Sequence, residues 1–278
     1  MGEALQDTAP SILESAVRRR ASLLYVFSAG ALIGVLGGLI GLGGAEFRLP
    51  LLISLFGFAA LHAVILNKAM SLIVVATALP ARLFALPYAE VAAHWSIAVN
   101  LLAGSLIGAW LGAGWATRMH SRTLYRVLAV LLVGIAAALA ATHLTEVGHL
   151  DLAPSVRVVA AIVAGVGIGV VAALMGVAGG ELLIPTIVLL FGADIKLAGS
   201  LSLMVSLPTM LVAFARYSRD QSFQILSSNT RFVAIMAVGS ITGTVLGGLL
   251  LGVIPSAALI PALTVLLLIS ALKVWRHR

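Results

Sequence analysis

Apolar residues run through this chain in long continuous stretches that short polar or basic segments separate. Eight of the stretches have about 20 residues or more, the length that an α-helix needs to cross a bilayer. They cover residues 21–44, 60–86, 94–117, 122–144, 154–178, 196–217, 228–252 and 254–275. Two shorter stretches, 46–57 and 181–192, rise only about 18 Å each and predict half-length or re-entrant helices. The pattern predicts an all-α polytopic membrane protein.

Composition agrees with this prediction and narrows the chemistry. The 278 residues are 61% hydrophobic and 10% charged, whereas soluble proteins have roughly 25% charged residues. The chain has no cysteine, no histidine pair at helical spacing and no Gly-Lys-Ser/Thr phosphate loop. We therefore expect no metal, no other cofactor, no ATP hydrolysis and no enzymatic activity.

The net charge of +7 is explained by membrane topology rather than by nucleic-acid binding. Twelve of the 17 basic residues form four clusters between apolar stretches. The clusters are Arg18 to Arg20; Arg118, Arg122 and Arg126; Arg216, Arg219 and Arg231; and Lys273, Arg276 and Arg278. The connection at 143–154 has Glu146 and Asp151 but no basic residue. We expect a bacterial inner-membrane protein with both termini in the cytoplasm.

A decapeptide occurs twice in the chain. GLGGAEFRLP at 41–50 returns 135 residues later as GVAGGELLIP at 176–185, and seven of 17 positions from 41–57 are identical at that offset. The same offset aligns glycines 104, 108 and 112 with glycines 239, 243 and 247. We interpret this as a duplication. The predicted organisation is an N-terminal segment 1–20, a first repeat 21–144, an external linker 145–153, a second repeat 154–275 and a tail 276–278.

The charge clusters predict that the two repeats are inverted. If 21–57 and 154–192 each fold as a long arm with a half-length return, each repeat crosses the membrane an odd number of times. The basic clusters then fall on one side. Inverted repeats are common in secondary transporters, whose substrate sites lie near the midplane at the repeat interface.

The repeated decapeptide supplies the first candidate site residues. Glycines at its centre are expected to unwind the helix, so that N–H groups at the start of each short helix bind an anion, and Pro50 and Pro185 suit a first helical turn. The alternative is that the glycines only allow close packing. We call the two predicted helix breaks, at 41–50 and 176–185, the first and second corners. Their candidate substrate-binding residues are Gly43, Gly44, Ala45, Ala178, Gly179 and Gly180.

Charged residues at the corners leave several roles open. Glu46 and Glu181 could cap the free N–H groups, carry protons, or bind substrate or a cation directly. Arg48 is matched by Leu183 in the second copy. It could pair with Glu46, or it could make the first corner the more attractive one for an anion.

Polar residues within the long apolar stretches complete the candidate site. Asn67, Ser71, Ser200, Ser202 and Ser206 could donate hydrogen bonds to an oxyanion, or they could only join helices to each other. Lys68 is expected to extend to the inner interface. Glycines 104, 108 and 112 and their counterparts are expected to serve helix packing, either within the chain or in a homodimer.

The residues Gly41 to Pro50 and Gly176 to Pro185 resemble the paired glycine-rich motif of the TauE/SafE sulfite exporter family, also called the toluene-sulfonate uptake permease family. Phe191-Gly192 followed by Leu197 to Leu201 is similar to the second block of that family. Ala45 and Ala178 each replace one glycine of the family motif. The resemblance covers about 21–275 and implies a transporter of sulfite, organosulfonates or related small anions, driven by an ion gradient.

These observations together predict a secondary transporter that moves a small sulfur-containing anion by alternating access in the lipid bilayer. Two alternatives are kept. One is a transporter or channel for another small anion or carboxylate. The other is a membrane scaffold subunit whose corners serve packing only.

Overall fold

The computed structural model describes residues 23–40, 44–85, 94–144, 150, 152–250 and 256–276. Within these ranges there are ten helices of ten or more residues and no strand. They are α1 Leu23–Ile40, α2 Ala45–Ser54, α3 Ala60–Ala85, α4 Trp95–Arg118, α5 Ser121–Leu144, α6 Pro154–Met175, α7 Gly180–Phe191, α8 Ile195–Tyr217, α9 Thr230–Leu249 and α10 Ser256–Arg276. Short helical segments at Gln221–Phe223 and Gln224–Ser228 connect α8 to α9.

Six of the described helices are long and apolar enough to cross a membrane, namely α3, α4, α5, α6, α8 and α9. Large apolar side chains on their outer faces, such as Val130, Val163 and Val245, are more than half exposed. Such exposure is expected where the surrounding solvent is lipid. The prediction of an all-α polytopic membrane protein is therefore confirmed.

Helices of the second half begin 135 residues after those of the first half. This spacing separates Ala45 from Gly180, Ala60 from Ile195, Trp95 from Thr230 and Ser121 from Ser256, which are the first residues of the paired helices. Only α1 and α6 depart from it, because α6 begins earlier, at Pro154. The spacing of helix starts thus follows the spacing of the repeated decapeptide.

A break between a long and a short helix stands at each copy of the decapeptide. In the second copy α6 ends at Met175 and α7 begins at Gly180, while in the first copy α2 begins at Ala45. The residues before the short helices, Gly44 and Gly179, have φ of +73° and +85°, a region that side chains other than glycine adopt at a cost. Residues 41–43, including Gly41 and Gly43, lie outside the described part of the chain.

The two repeated prolines do not lie in a first helical turn, as the sequence had suggested. Pro50 and Pro185 are the sixth residues of α2 and α7, because the helices begin at Ala45 and Gly180, the last alanine or glycine of each motif. A proline has no N–H group to donate four residues back. The backbone carbonyls of Glu46 and Glu181 therefore lack their usual helical donor.

The first long helix of each half packs on the other half. The most extensive helix contacts join α1 to α9 and α6 to α4, and these two pairs correspond to each other at the 135-residue offset. Contacts of α2 with α10 and of α7 with α5 form a second such exchange. Helices α3 and α8 contact each other, as do α5 and α10. Exchange of this kind is what a two-fold relation between the halves produces.

Glycines allow the exchanged helices to approach closely. A Cβ atom built on Gly34 of α1 would collide with the Ser240 carbonyl of α9, and one on Gly243 of α9 would collide with the Ala31 carbonyl of α1. The same holds between α4 and α6, where Gly108 meets the Val166 carbonyl. The predicted packing role of these glycines is confirmed, and they are used within one chain, which leaves them unavailable for a homodimer.

Candidate functional site

Polar side chains of α3 connect the two corners to each other. The Asn67 side-chain amide donates to the Ala45 carbonyl of the first corner at 3.0 Å and to the Met175 carbonyl of the second at 3.1 Å. Ser71, one helical turn further, donates to the Gly176 carbonyl at 3.2 Å. Both side chains are buried. The two copies of the decapeptide, distant in sequence, therefore meet at one face of α3.

Arg48 is the centre of this buried cluster and is itself fully buried. Its Nε donates to Asn67 Oδ1 at 2.8 Å, one terminal nitrogen donates to Ser71 Oγ at 2.6 Å, and the other donates to Ser240 Oγ at 3.2 Å. These three acceptors are neutral, and Arg48 forms no ion pair with Glu46 among the described residues. Its positive charge is therefore held in place without being cancelled by a bonded carboxylate.

Lys68 does not reach the inner interface, contrary to the expectation from sequence. The side chain is fully buried, and its ammonium group donates to the carbonyls of Ala172 at 2.8 Å and Val177 at 2.6 Å. A lysine snorkels when water lies within reach of its stem. Here the end of α6 lies nearer and supplies carbonyl acceptors.

Glu46 and Glu181 bring one carboxyl group from each corner to the same place. Glu46 is buried, and both carboxyl oxygens of the partly buried Glu181 are inaccessible as well. The two groups lie near enough to repel each other when both are ionised, and no donor among the described residues bonds to either of them. Ionised carboxylates only accept hydrogen bonds, so a bond between the pair requires a proton on one of them.

The beginnings of the short helices carry no side-chain cap. Neither Gly44 nor Gly179 has one, and the glutamates of the first turns do not supply it from their own carboxyl groups. In α7 the N–H groups of Leu182 and Leu183 are the first that donate to the Gly179 carbonyl. The helix dipole favours negative charge at such a terminus.

The second half has an uncharged counterpart of the Arg48 cluster. At the 135-residue offset Arg48 corresponds to Leu183, Asn67 to Ser202, Ser71 to Ser206 and Ser240 to Ser105. Leu183 is buried, so hydrocarbon replaces the guanidinium. The Ser105 hydroxyl bonds instead to Thr209 Oγ1, at 2.7 Å. The four positions thus correspond between the halves, but only the first half has a charged residue, Arg48, at one of them.

The structure brings together only some of the predicted site residues. Those that meet in the cluster through side-chain or backbone groups are Ala45, Glu46, Arg48, Asn67, Ser71 and Glu181. The Ser200 and Ser202 hydroxyls donate to carbonyls of their own helix, at Lys196 and Gly199. The Ser206 hydroxyl is buried and has no partner among the described residues. No hydrogen bond within the described ranges joins these three serines to the cluster.

Backbone positions of the candidate site have structural roles at the helix ends. Gly44 and Gly179 precede α2 and α7, Gly180 begins α7, and Ala178 is buried beside the Val177 carbonyl that Lys68 contacts. Gly43 lies outside the described residues. None of these positions can be assigned to substrate from its contacts alone.

Sequence reasoning missed Ser240 and Tyr217. Ser240 follows Gly239, one of the packing glycines of α9, and its hydroxyl accepts a hydrogen bond from Arg48. The Tyr217 hydroxyl donates to the Ala173 carbonyl at 2.9 Å. The sequence contained a signal for Ser240, because a serine follows the first packing glycine of each half, at Gly104 and Gly239. Tyr217 stands at the end of an apolar stretch, where an aromatic residue is typical of a membrane interface.

An apolar cleft of about 340 Å³ lies on another face of α3. Its walls come from α3, α8, α9 and the segment between the last two, and they are lined by Ala69, Leu72, Ile73, Phe214, Leu226, Thr230, Val233 and Ala234. Thr230 is the only polar residue of this lining. The cleft therefore offers little to an anion, and the buried cluster remains the candidate site.

Comparison with known proteins bears on the first half of the chain. Residues 5–139 match the family model described as sulfite exporter TauE/SafE. No curated protein and no solved structure gives a significant match. The matched range includes α1 to α4 and most of α5, and with them the first corner, Arg48 and the polar face of α3. Through these residues the first half of the chain is similar to the TauE/SafE sulfite exporter family, a family of membrane transporters.

Proposed function

We propose that the protein is a secondary transporter that moves a small sulfur-containing anion, such as sulfite or an organosulfonate, across the membrane. One observation carries the proposal: two broken helices, one from each half, meet at a buried cluster of two cations and two carboxyl groups. Ionisable groups within a membrane protein are costly and mark transport pathways. Similarity of residues 5–139 to a transporter family supports the transporter class, and the cluster gives a place for an anion.

Arg48 is the residue on which the anion is expected to bind. A guanidinium has five N–H groups in a planar fork, and three of them already hold Arg48 to neutral acceptors. The remaining two can donate to an oxyanion without loss of that support. The uncapped beginnings of α2 and α7 would add N–H groups, and the Ser71 hydroxyl lies next to the guanidinium.

Glu46 and Glu181 are expected to couple anion movement to protons. With both carboxyl groups ionised, the charges of Glu46 and Glu181 balance those of Arg48 and Lys68. With protons on both, the cluster carries a net charge of about +2 and attracts an anion more strongly. Binding of protons and of the anion would then favour each other, which is the condition for coupled transport.

The proposal includes an inverted topology in a bacterial inner membrane, with both termini in the cytoplasm. Three contacts support it. The Arg126 guanidinium lies 6.0 Å from the centre of the Trp275 ring, and those of Arg216 and Arg219 lie 5.4 and 5.0 Å from that of Trp110. These contacts bring basic residues from both halves to ends of helices that are predicted to face the cytoplasm. The two halves would rearrange around the cluster by alternating access.

Flux into proteoliposomes tests the function. We expect saturable sulfite uptake that a pH gradient accelerates. Glu46→Gln should remove the effect of the gradient while sulfite counterflow continues, because the amide cannot carry the proton. Asp194→Asn is the matched control, since Asp194 is an exposed helix cap that asparagine can replace.

Two outcomes would count against the proposal. If the purified protein moves no small anion under any gradient, the scaffold alternative is favoured. If Glu46→Gln keeps the full pH effect while Asp194→Asn behaves as the unaltered protein does, the carboxyl pair does not couple transport to protons.

A further inference from the structure

Lys68 is a buried cation with an unusual set of partners. Its ammonium group donates to two backbone carbonyls, those of Ala172 and Val177, at 2.8 and 2.6 Å. Neither carboxyl oxygen of Glu181 bonds to this ammonium group. Carbonyl oxygens are ligands that a dissolved alkali cation also prefers.

The carbonyls belong to the place where α6 ends and the chain turns towards α7. The Ala172 carbonyl also accepts hydrogen bonds from the N–H groups of Gly176 and Val177, and the helix dipole makes this end of α6 negative. Side chains of α3 and α8 supply donors here: Lys68 to Ala172 and Val177, Tyr217 to Ala173, Asn67 to Met175 and Ser71 to Gly176. Among these donors only Lys68 has a positive charge.

We propose that the carbonyls of Ala172 and Val177 form a monovalent-cation site that the ammonium group of Lys68 occupies permanently. Unwound carbonyls at broken helices bind the coupling cation in many secondary transporters. In this chain the cation is the side-chain ammonium group of Lys68, which is covalently attached to the protein. A consequence, which rests on the proposed transport function, is that neither Na⁺ nor K⁺ drives flux, because their place is taken.

The close approach of α3 to the corner explains why a side chain can replace an ion. A Cβ atom built on Gly176 would collide with the Val64 carbonyl and lie 3.1 Å from the Lys68 backbone nitrogen. The stem of Lys68 thus starts beside the corner and ends among its carbonyls. The counterpart of Lys68 in the second half is Leu203, so the same device is not repeated there.

Removing the tethered cation should open the site to dissolved ones. We expect Lys68→Ala to lower the melting temperature of the purified protein, and NH₄⁺ or K⁺ to restore it in a saturable manner, with choline inactive. NH₄⁺ and K⁺ are closest in size to the lost ammonium group. At roughly 100 times the dissociation constant, the recovery should be about 5 °C. Leu203→Ala is the control, because it removes a similar side chain from the corresponding position and should show no recovery with any cation.

The unaltered protein provides a second test that needs no variant. Its melting temperature should be the same in chlorides of Na⁺, K⁺, NH₄⁺ and choline at equal ionic strength. A saturable shift with one alkali cation would overturn the proposal, because it would show that the cation site is separate from Lys68.

Substitutions at Lys68 provide the remaining tests of the cation site. A folded Lys68→Ala protein that no cation stabilises would also overturn the proposal. If Lys68→Ala yields folded protein only when NH₄⁺ or K⁺ is present during purification, that rescue supports it. If neither helps, Lys68→Gln, whose amide keeps a neutral donor, is measured with the same salts, and a lack of response to all of them counts against the site. None of these readouts uses sulfite, so they can fail or succeed independently of the transport proposal.

Discussion

Arg48 and Leu183 occupy the same place in the two corners, yet one is a buried cation and the other a buried hydrocarbon. Burying a guanidinium costs several kcal/mol unless hydrogen bonds replace the lost water. Asn67, Ser71 and Ser240 provide those bonds in the first half. Leucine fills the matching position of the second corner, so packing alone does not require a charge here. The arginine therefore supports the proposed demand for a charge that binds the anion.

Replacing Arg48 with leucine tests that demand. Arg48→Leu gives the first corner the residue that the second corner already has. We expect it to abolish the rise in melting temperature that sulfite causes, and to lower the free energy of unfolding by about 3 kcal/mol, because the three polar partners lose their donor. Thermal unfolding with and without sulfite measures both effects.

Arg157→Leu is the control for Arg48→Leu. Arg157 is partly buried and donates to the Leu152 carbonyl at 3.1 Å, outside the cluster. It should leave the response to sulfite unchanged. A response to sulfite that survives in Arg48→Leu would remove Arg48 from the binding site.

At the scale of helices, two closely packed pairs hold the molecule together. Between α4 and α6 a Cβ built on Gly169 would collide with the Ser105 carbonyl and lie 2.9 Å from the Ala109 nitrogen. Gly167, two residues earlier in the same helix, has no atom within 4 Å of such a Cβ. The two glycines therefore differ in packing while sharing a helix and a bilayer depth.

This difference gives a prediction with an internal control. Gly169→Ala should lower the free energy of unfolding by about 2 kcal/mol, because the α4 backbone must move away. Gly167→Ala should change it by less than about 1 kcal/mol, because alanine favours the helix and meets nothing. Unfolding in denaturing detergent measures both variants, and equal losses would contradict close packing as the cause.

Most helices could be predicted from sequence, because long apolar stretches and glycine or proline breaks determine where they start and end. Predicted stretches such as 60–86 and 196–217 match α3 and α8 within two residues. The partners of these helices could not be predicted in this way. The glycines at 104, 108 and 112 indicate a packing face, but a glycine face does not specify which helix it meets.

The sequence indicated where the two helix breaks lie, but not their hydrogen bonds. Asn67 and Ser71 were predicted to line a site between the corners, and in the structure they donate to the carbonyls of Ala45, Met175 and Gly176. The burial of Lys68 and the contribution of Ser240 were not foreseen, because each depends on a helix from elsewhere in the chain. Long-range contacts of this kind have no local sequence signature.

For the whole molecule, the orientation of the helix ends is the main expectation. The basic clusters near α5 and between α8 and α9 are predicted to face the cytoplasm, and the start of α6 is predicted to face the outside. The chain has no cysteine, so each introduced cysteine is the only thiol available for labelling.

Labelling with a membrane-impermeant thiol reagent checks this orientation. Ser155→Cys, at the exposed start of α6, should react in intact cells. Ser121→Cys and Ser227→Cys, also exposed, should react only after the inner membrane is permeabilised. If Ser155→Cys and Ser121→Cys react from the same side, the predicted number of crossings in the first half is wrong.

The exchange of α1 and α6 between the halves has a consequence for how such a chain could arise. A single half on its own would leave the glycine faces of its first and fourth helices uncovered, because each is closed by a helix of the other half. An ancestor with one half would therefore have needed a second copy of itself before any fusion of the genes. On this view the connection at 145–153 holds together two halves that are each structurally incomplete without the other.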